Sequence, residues 1–143
     1  MPYRYLEDVA IADVAIEAWG PDAETLFTHT SDATLNVMVQ DLDTVTARVE
    51  RSVALESEAF DMLLFNYLQE TIFYKDAQRL LLRTKELKIT RTEEKFTLDA
   101  VMAGEELDMQ RHELVVDIKA VTLHQFRVEK TERGWEAFVI LDI

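Results

Sequence analysis

Residues 60–91, FDMLLFNYLQETIFYKDAQRLLLRTKELKITR, contain the change of pattern that decides the fold. In the first part, core-type residues recur at intervals of three and four, which is typical of the buried face of a helix. These residues are Phe60, Leu63, Leu64, Tyr67, Leu68 and Thr71. Ser57 precedes them and is a good N-cap for this helix. Beyond Lys75 the period changes to two, which predicts a strand over Leu80–Arg91.

The rest of the chain extends this pattern to a single domain over residues 1–143. A first helix is predicted to have Pro21 at its first helical position and to end near Met38, while Gly104–Met109 is predicted to be a loop. Further strands are predicted at Tyr3–Leu6, Ile11–Trp19, Thr46–Leu55, Lys95–Ala103, Leu114–Val121, His124–Lys130 and Trp135–Ile143. Two hairpins are predicted where a short polar turn joins successive strands, namely Leu80–Arg91 with Lys95–Ala103 and His124–Lys130 with Trp135–Ile143. The predicted fold class is therefore α+β, with two helices packed on antiparallel β-sheet.

The charge of the chain limits its function. It has 28 acidic and 15 basic residues and a net charge of −13, and −11 of this lies in residues 1–76. Such a field repels phosphate, so direct binding of nucleic acid is not expected. It favours cations or a basic protein partner, although acidity that only maintains solubility is an open alternative. With no cysteine, no recognisable leader and no long apolar run, the expected location is cytoplasmic, away from membranes.

Familiar catalytic motifs are absent, since the sequence has no glycine-rich phosphate loop, no G-x-S-x-G and no H-E-x-x-H. Two acids stand out because they interrupt apolar strands. Asp13 shares a strand face with Ile11 and Ala15, and Asp142 precedes the final residue, Ile143. If the two strands adjoin, these carboxylates and the terminal carboxylate could converge into the oxygen-rich set that a hard cation prefers. The alternative is that Asp142 frays into water and Asp13 caps a bulge.

The stretch from Lys119 to His124 could also line a site. In an extended chain, Thr122 and His124 lie on one face and Lys119 lies on the other. The same pattern is typical of the surface of a half-solvated sheet, and both interpretations remain open.

Taken together, several short segments resemble the archease family over nearly the whole chain. Early in the chain these are Tyr5-Leu6-Glu7, Ala12-Asp13-Val14-Ala15-Ile16 and Ala18-Trp19-Gly20. Later come Leu63-Leu64-Phe65-Asn66-Tyr67-Leu68, Lys119-Ala120-Val121-Thr122-Leu123-His124, Gly134-Trp135-Glu136-Ala137 and Leu141-Asp142-Ile143. Their order and spacing make the combination specific.

The resemblance implies a function and a ligand set. Archease is a non-catalytic accessory protein that activates the GTP-dependent RNA ligase of tRNA splicing by promoting its guanylylation and multiple turnover. The family binds a divalent metal, seen as Ca²⁺, with Mg²⁺ or Mn²⁺ as further candidates. At the matching positions the ligands are Asp13, Asp142 and Ile143. The implied partner is the ligase.

The chain departs from the family pattern near its start. Many members read Leu-Glu-His-Thr-Ala-Asp, whereas this chain has two more residues and carries Asp8 where a histidine is common. Glu7, Asp8, Lys119 and His124 are second-tier candidates for the site. Two other functions remain open, a stand-alone metal-dependent phosphoesterase or nuclease and a general protein chaperone.

Overall fold

The computed structural model describes residues 2–6 and 13–143. The described helices are α1 (Ala23–Met38), α2 (Phe60–Gln78) and a short 3₁₀ helix (Leu42–Thr44). The strands are β1 (Tyr3–Leu6), β2 (Asp13–Gly20), β3 (Val49–Ser57), β4 (Leu80–Arg91), β5 (Phe96–Glu106), β6 (Ala120–Thr131) and β7 (Gly134–Asp142). Among the described helices, none has the length and apolarity needed to cross a membrane.

The strands form two antiparallel sheets. The first has the order β1-β2-β7-β6 and the second has the order β3-β5-β4. Each of the two long helices contacts strands of both sheets, so the helices lie between the sheets. The predicted α+β class is confirmed, and the structure adds that the antiparallel strands divide into two sheets with the helices between them.

The core stripe predicted for α2 is confirmed. Five of its six members are buried, and Tyr67 also bonds through its hydroxyl group to Thr84 on β4 at 2.6 Å. The prediction of Ser57 as the N-cap is wrong. Ser57 is the last residue of β3, where it pairs with Phe96, and Ala59 takes the cap position without a side-chain bond. At α1 the cap is Asp22, whose carboxylate accepts from Thr25 N at 2.8 Å, so helical geometry begins at Ala23 and not at the proline.

Strand boundaries differ from the predictions at several places. Strand β2 begins at Asp13 among the described residues, and Ile11 lies outside them. The third strand begins at Val49, not Thr46, because the Thr46 amide bonds to the Glu105 carboxylate instead of to a strand. Strand β5 continues to Glu106, so the predicted loop over Gly104–Met109 is wrong for its first three residues.

The predicted strand Leu114–Val121 is wrong for residues 114–119, whereas its last two residues, Ala120 and Val121, begin β6. Leu114 forms only an isolated bridge with Val39, and regular pairing begins at Ala120. From there β6 runs as one element through the predicted break, with an irregularity between Thr122 and Arg127. The alternation of residue types in this segment does not correspond to a strand, because the segment crosses from the end of α1 to the first sheet and has no continuous strand beside it.

A buried carboxylate on β5 connects the second sheet to the segments that precede β3 and follow β5. The Glu105 side chain accepts from Thr46 N at 2.5 Å, contacts the Arg111 guanidinium and lies 3.4 Å from His112 Nε2. Burial alone would raise the pKa of Glu105, but the bonds from Thr46 and Arg111, with the His112 imidazole close by, lower it to about 2.

Glu105→Gln is therefore expected to remove an acid-sensitive part of the stability. Because the folded-state pKa is depressed, the contribution is full above the ordinary value of 4.5 and is lost as the pH falls towards 2. At pH 7 the variant should lose about 1–3 kcal/mol of unfolding free energy. Urea unfolding between pH 7 and pH 3 measures both effects. A variant that follows the wild-type pH dependence would show that Glu105 does not supply it.

Candidate carboxylate site

Asp13 and Asp142 lie directly opposite each other on adjacent strands. Strands β2 and β7 are antiparallel neighbours in the first sheet, and their register pairs Asp13 with Asp142 and Ala15 with Ile140. Opposed residues in an antiparallel pair have Cβ atoms about 5 Å apart and side chains on the same face. The two central strands of the first sheet thus bring together two acids that are far apart in the sequence.

The face that carries the two acids is the one turned away from the helices. Next to them, Ala15, Phe138 and Ile140 form a small buried apolar cluster. The opposite face of the same strands contributes Ile16 and Val139 to the main core between the sheets. Asp13 and Asp142 are themselves half-buried, so both carboxylates lie at the border of an apolar surface.

Neither carboxylate has a compensating partner among residues 2–6 and 13–143. Within that part of the chain, no basic group lies within 4.0 Å of Asp13 or Asp142, and neither side chain accepts a hydrogen bond. Like charges directly opposite each other on a sheet are destabilising. A divalent cation between them would remove the repulsion, and carboxylate oxygens are the donors that Ca²⁺ and Mg²⁺ prefer. The donor set therefore fits the metal implied by the resemblance.

The described residues contain no group of three or more His, Asp or Glu side chains arranged to hold a metal. The side-chain part of the candidate site is thus a pair. Ile143 follows Asp142 directly and packs its side chain against the main core.

The second-tier candidates fall in different places. Lys119 lies beside the pair, since its amide donates to the Asp142 carbonyl at 2.8 Å, and its side chain is exposed. His124 is exposed within the irregular part of β6, where no register places it beside Asp142. Glu7 and Asp8 lie outside the described residues. Thr122 bonds to the Ile140 carbonyl at 2.9 Å, which is a structural contact within the sheet.

One neighbour of the pair was not singled out from the sequence. Ala120 pairs with Asp142 from the β6 side, so Asp142 is flanked by Asp13 on one strand and by a methyl group on the other. A larger residue at this position would cover the carboxylate. Alternation along Ala120-Val121-Thr122 was the available signal, but only the register shows that Ala120 faces Asp142.

Comparison with known proteins finds relatives that match nearly all of the given sequence. Residues 3–143 match the family model described as the Archease protein family. Protein archease of Pyrococcus abyssi is 35% identical over 133 residues, which cover 92% of this chain and 93% of that protein. A solution structure of a Methanobacterium thermoautotrophicum protein superposes with a TM-score of 0.85 at 30% identity, with 99% of each chain covered.

A crystal structure from Thermotoga maritima, described as an archease and possible chaperone, shares the fold alone, with a TM-score of 0.57 at 16% identity and coverage of 92% of this chain and 91% of that one. The match of the family model over nearly the whole chain, with the identity to the Pyrococcus protein, shows that this chain belongs to the archease family.

Proposed function

We propose that this protein is a non-catalytic activator of a GTP-dependent tRNA-splicing RNA ligase, promoting guanylylation of the enzyme and its repeated turnover. The observation that carries the proposal is the opposition of Asp13 and Asp142 in register. These are the two aspartates that the resemblance to archease implies as metal ligands. Membership of the family supports a role exerted through a protein partner.

The residues that would hold the cation are Asp13, Asp142 and Ile143. Ca²⁺ is the ion implied by the resemblance, and Mg²⁺ or Mn²⁺ shares its preference for oxygen ligands. A bound divalent ion supplies positive charge that can stabilise phosphate oxygens.

The chain itself would contribute orientation and an acidic field. Pairing of β2 with β7 fixes the two carboxylates on one rigid sheet face, next to the apolar cluster of Ala15, Phe138 and Ile140. The net charge of −13 opposes direct contact with RNA. It favours association with an enzyme whose RNA-binding surface is basic, because complementary charge speeds encounter between proteins. Activation would then depend on contact between the two proteins, with no RNA held by this chain.

The test uses purified ligase with GTP and broken tRNA halves. With a small amount of ligase, adding this protein should raise both the rate of guanylylation and the number of ligation events per enzyme. Unchanged rates at saturating protein would contradict the proposal. Chelator-sensitive cleavage of RNA by this chain alone would instead support the phosphoesterase alternative, and equal protection of unrelated unfolding proteins would support the chaperone alternative.

A further inference from the structure

Ala120 completes a row of three residues across the first sheet. In the order β2-β7-β6, Asp13 pairs with Asp142 and Asp142 pairs with Ala120. Directly opposed residues of antiparallel strands have side chains on the same face, with Cβ atoms about 5 Å apart. The Cβ atom of Ala120 is therefore about as near to that of Asp142 as the Cβ atom of Asp13 is.

The row ends at Ala120 because β6 is the outermost strand of the sheet. Ala120 is exposed, whereas Asp13 and Asp142 are half-buried. The start of β6 is held beside Asp142, since the Lys119 amide donates to the Asp142 carbonyl at 2.8 Å. Between the carboxylate pair and this edge of the sheet, the row thus places a single methyl group.

The next row along the strands borders the carboxylate pair with a mainly apolar surface. It consists of Thr122, Ile140 and Ala15. Ile140 and Ala15 are each 1% exposed, and the Thr122 hydroxyl group donates to the Ile140 carbonyl at 2.9 Å. Because its one hydroxyl group is already bonded, this row is a poor source of further ligands for a cation.

A cation between Asp13 and Asp142 needs more oxygen ligands than these two carboxylates provide. Ca²⁺ takes about six to eight oxygen ligands and Mn²⁺ about six, whereas a carboxylate offers a pair of oxygens at most. Within residues 2–6 and 13–143, no third acidic or histidine side chain joins the two aspartates. Part of the coordination sphere is therefore left to other ligands, and the β6 side is a route by which they can reach the ion.

We propose that Ala120 is a positioning residue of the carboxylate site. Its small side chain keeps the β6 side of the pair open, so that the bound cation retains exchangeable ligands and can accept an oxygen ligand from the ligase complex. The inference rests on the proposed function and adds the side from which the partner reaches the ion. A longer side chain at this position would lie beside the Asp142 carboxylate and either ligate the ion or cover it.

The variant Ala120→Asp tests whether a side chain at this position reaches the ion. A carboxylate opposite Asp142 adds a charged ligand, so the calcium dissociation constant should fall about tenfold, because the charge of the ligands sets the affinity of such sites. With Mn²⁺ bound, the enhancement of water-proton relaxation should also fall, since the new ligand displaces water from the ion. Calorimetric titration and relaxation measurements on the purified protein give both values without the ligase.

The variant Ala120→Val covers the ion without adding a ligand. Valine suits a strand position and carries no side-chain oxygen. Its calcium dissociation constant should stay close to the wild-type value, while the relaxation enhancement with Mn²⁺ falls. Both Ala120 variants should also lower the stimulation of guanylylation at saturating protein, because the ligand from the ligase complex no longer reaches the ion.

The matched control is Ala54→Asp. Ala54 is also an exposed alanine on an outermost strand, and it pairs with an aspartate, Asp99, in the second sheet. That row continues to Lys88 on β4 and not to a second acid. The control adds the same carboxylate in the same setting but away from the pair, so calcium affinity, relaxation and stimulation should all match the wild type.

Three results would overturn the inference. One is unchanged relaxation in both Ala120 variants, because the position would then not border the ion. A second is full stimulation of the ligase by both variants in spite of reduced relaxation, which would leave the proposed function standing. The third is an equal change in Ala54→Asp. Absence of stimulation by the wild-type protein would contradict the proposed function instead, and the two metal measurements would still decide whether Ala120 borders the ion.

Discussion

Calcium is expected to raise the unfolding free energy of the wild-type protein by about 2.7 kcal/mol when its concentration is a hundredfold above the dissociation constant. The gain arises because the folded state holds Asp13 opposite Asp142, whereas the unfolded chain does not. Asp142→Asn should show little or no gain under the same conditions. With a chelator present, Asp142→Asn should instead have the higher unfolding free energy, by up to about 1 kcal/mol, because the substitution removes one of two like charges that lie opposite each other.

Urea unfolding of the wild type and of Asp142→Asn, each with calcium and with chelator, measures the four unfolding free energies. Asp99→Asn is the matched control, because Asp99 is an exposed carboxylate on a strand of the other sheet, where it pairs with Lys88. This control should gain as much from calcium as the wild type. An equal calcium gain in Asp142→Asn would show that the cation binds elsewhere.

Gly104→Ala is expected to lower the unfolding free energy by more than about 3 kcal/mol or to prevent folding. Gly104 lies in β5 between β3 and β4, and a Cβ atom there would come 1.7 Å from the Leu81 carbonyl oxygen. That oxygen belongs to the backbone of β4 and cannot move without separating the strands. The Gly104 carbonyl also accepts from Arg48 N at 2.8 Å, so displacement would disturb the entry to β3 as well.

The opposite exchange at the neighbouring position is the control for this effect. Ala103→Gly removes a buried methyl group from the same strand and should cost about 1 kcal/mol or a little more. Denaturant unfolding of both variants gives the comparison. If the two substitutions lower the unfolding free energy equally, the close approach of the Leu81 backbone to Gly104 is not what makes Gly104→Ala destabilising.

Local patterns predicted the elements whose partners are close in sequence. The stripe on α2 and strand β4 follow from periodicity alone, and β4 was predicted with the observed bounds, Leu80–Arg91. The predictions failed where a distant contact overrides a local signal. Ser57 has the chemistry of an N-cap, but pairing with Phe96 keeps it in β3. Glycine is common in loops, but Gly104 lies in β5, where the lack of a Cβ atom allows the Leu81 backbone to approach closely.

The candidate site was predictable in its residues but not in its geometry. Asp13 and Asp142 are conspicuous because each interrupts an apolar strand, and the resemblance names the same two positions. They lie opposite each other because β2 pairs with β7. These strands are far apart in the sequence, and the residue pattern of neither strand predicts which strand it pairs with.

The most direct test of the proposed role is single-turnover guanylylation of the ligase with saturating amounts of each variant of this protein. We expect Asp13→Asn and Asp142→Asn to give the rate of the ligase alone, and Asp99→Asn to stimulate as the wild type does. Stimulation by both Asp13→Asn and Asp142→Asn at the wild-type level would contradict a role for the carboxylate pair in activation.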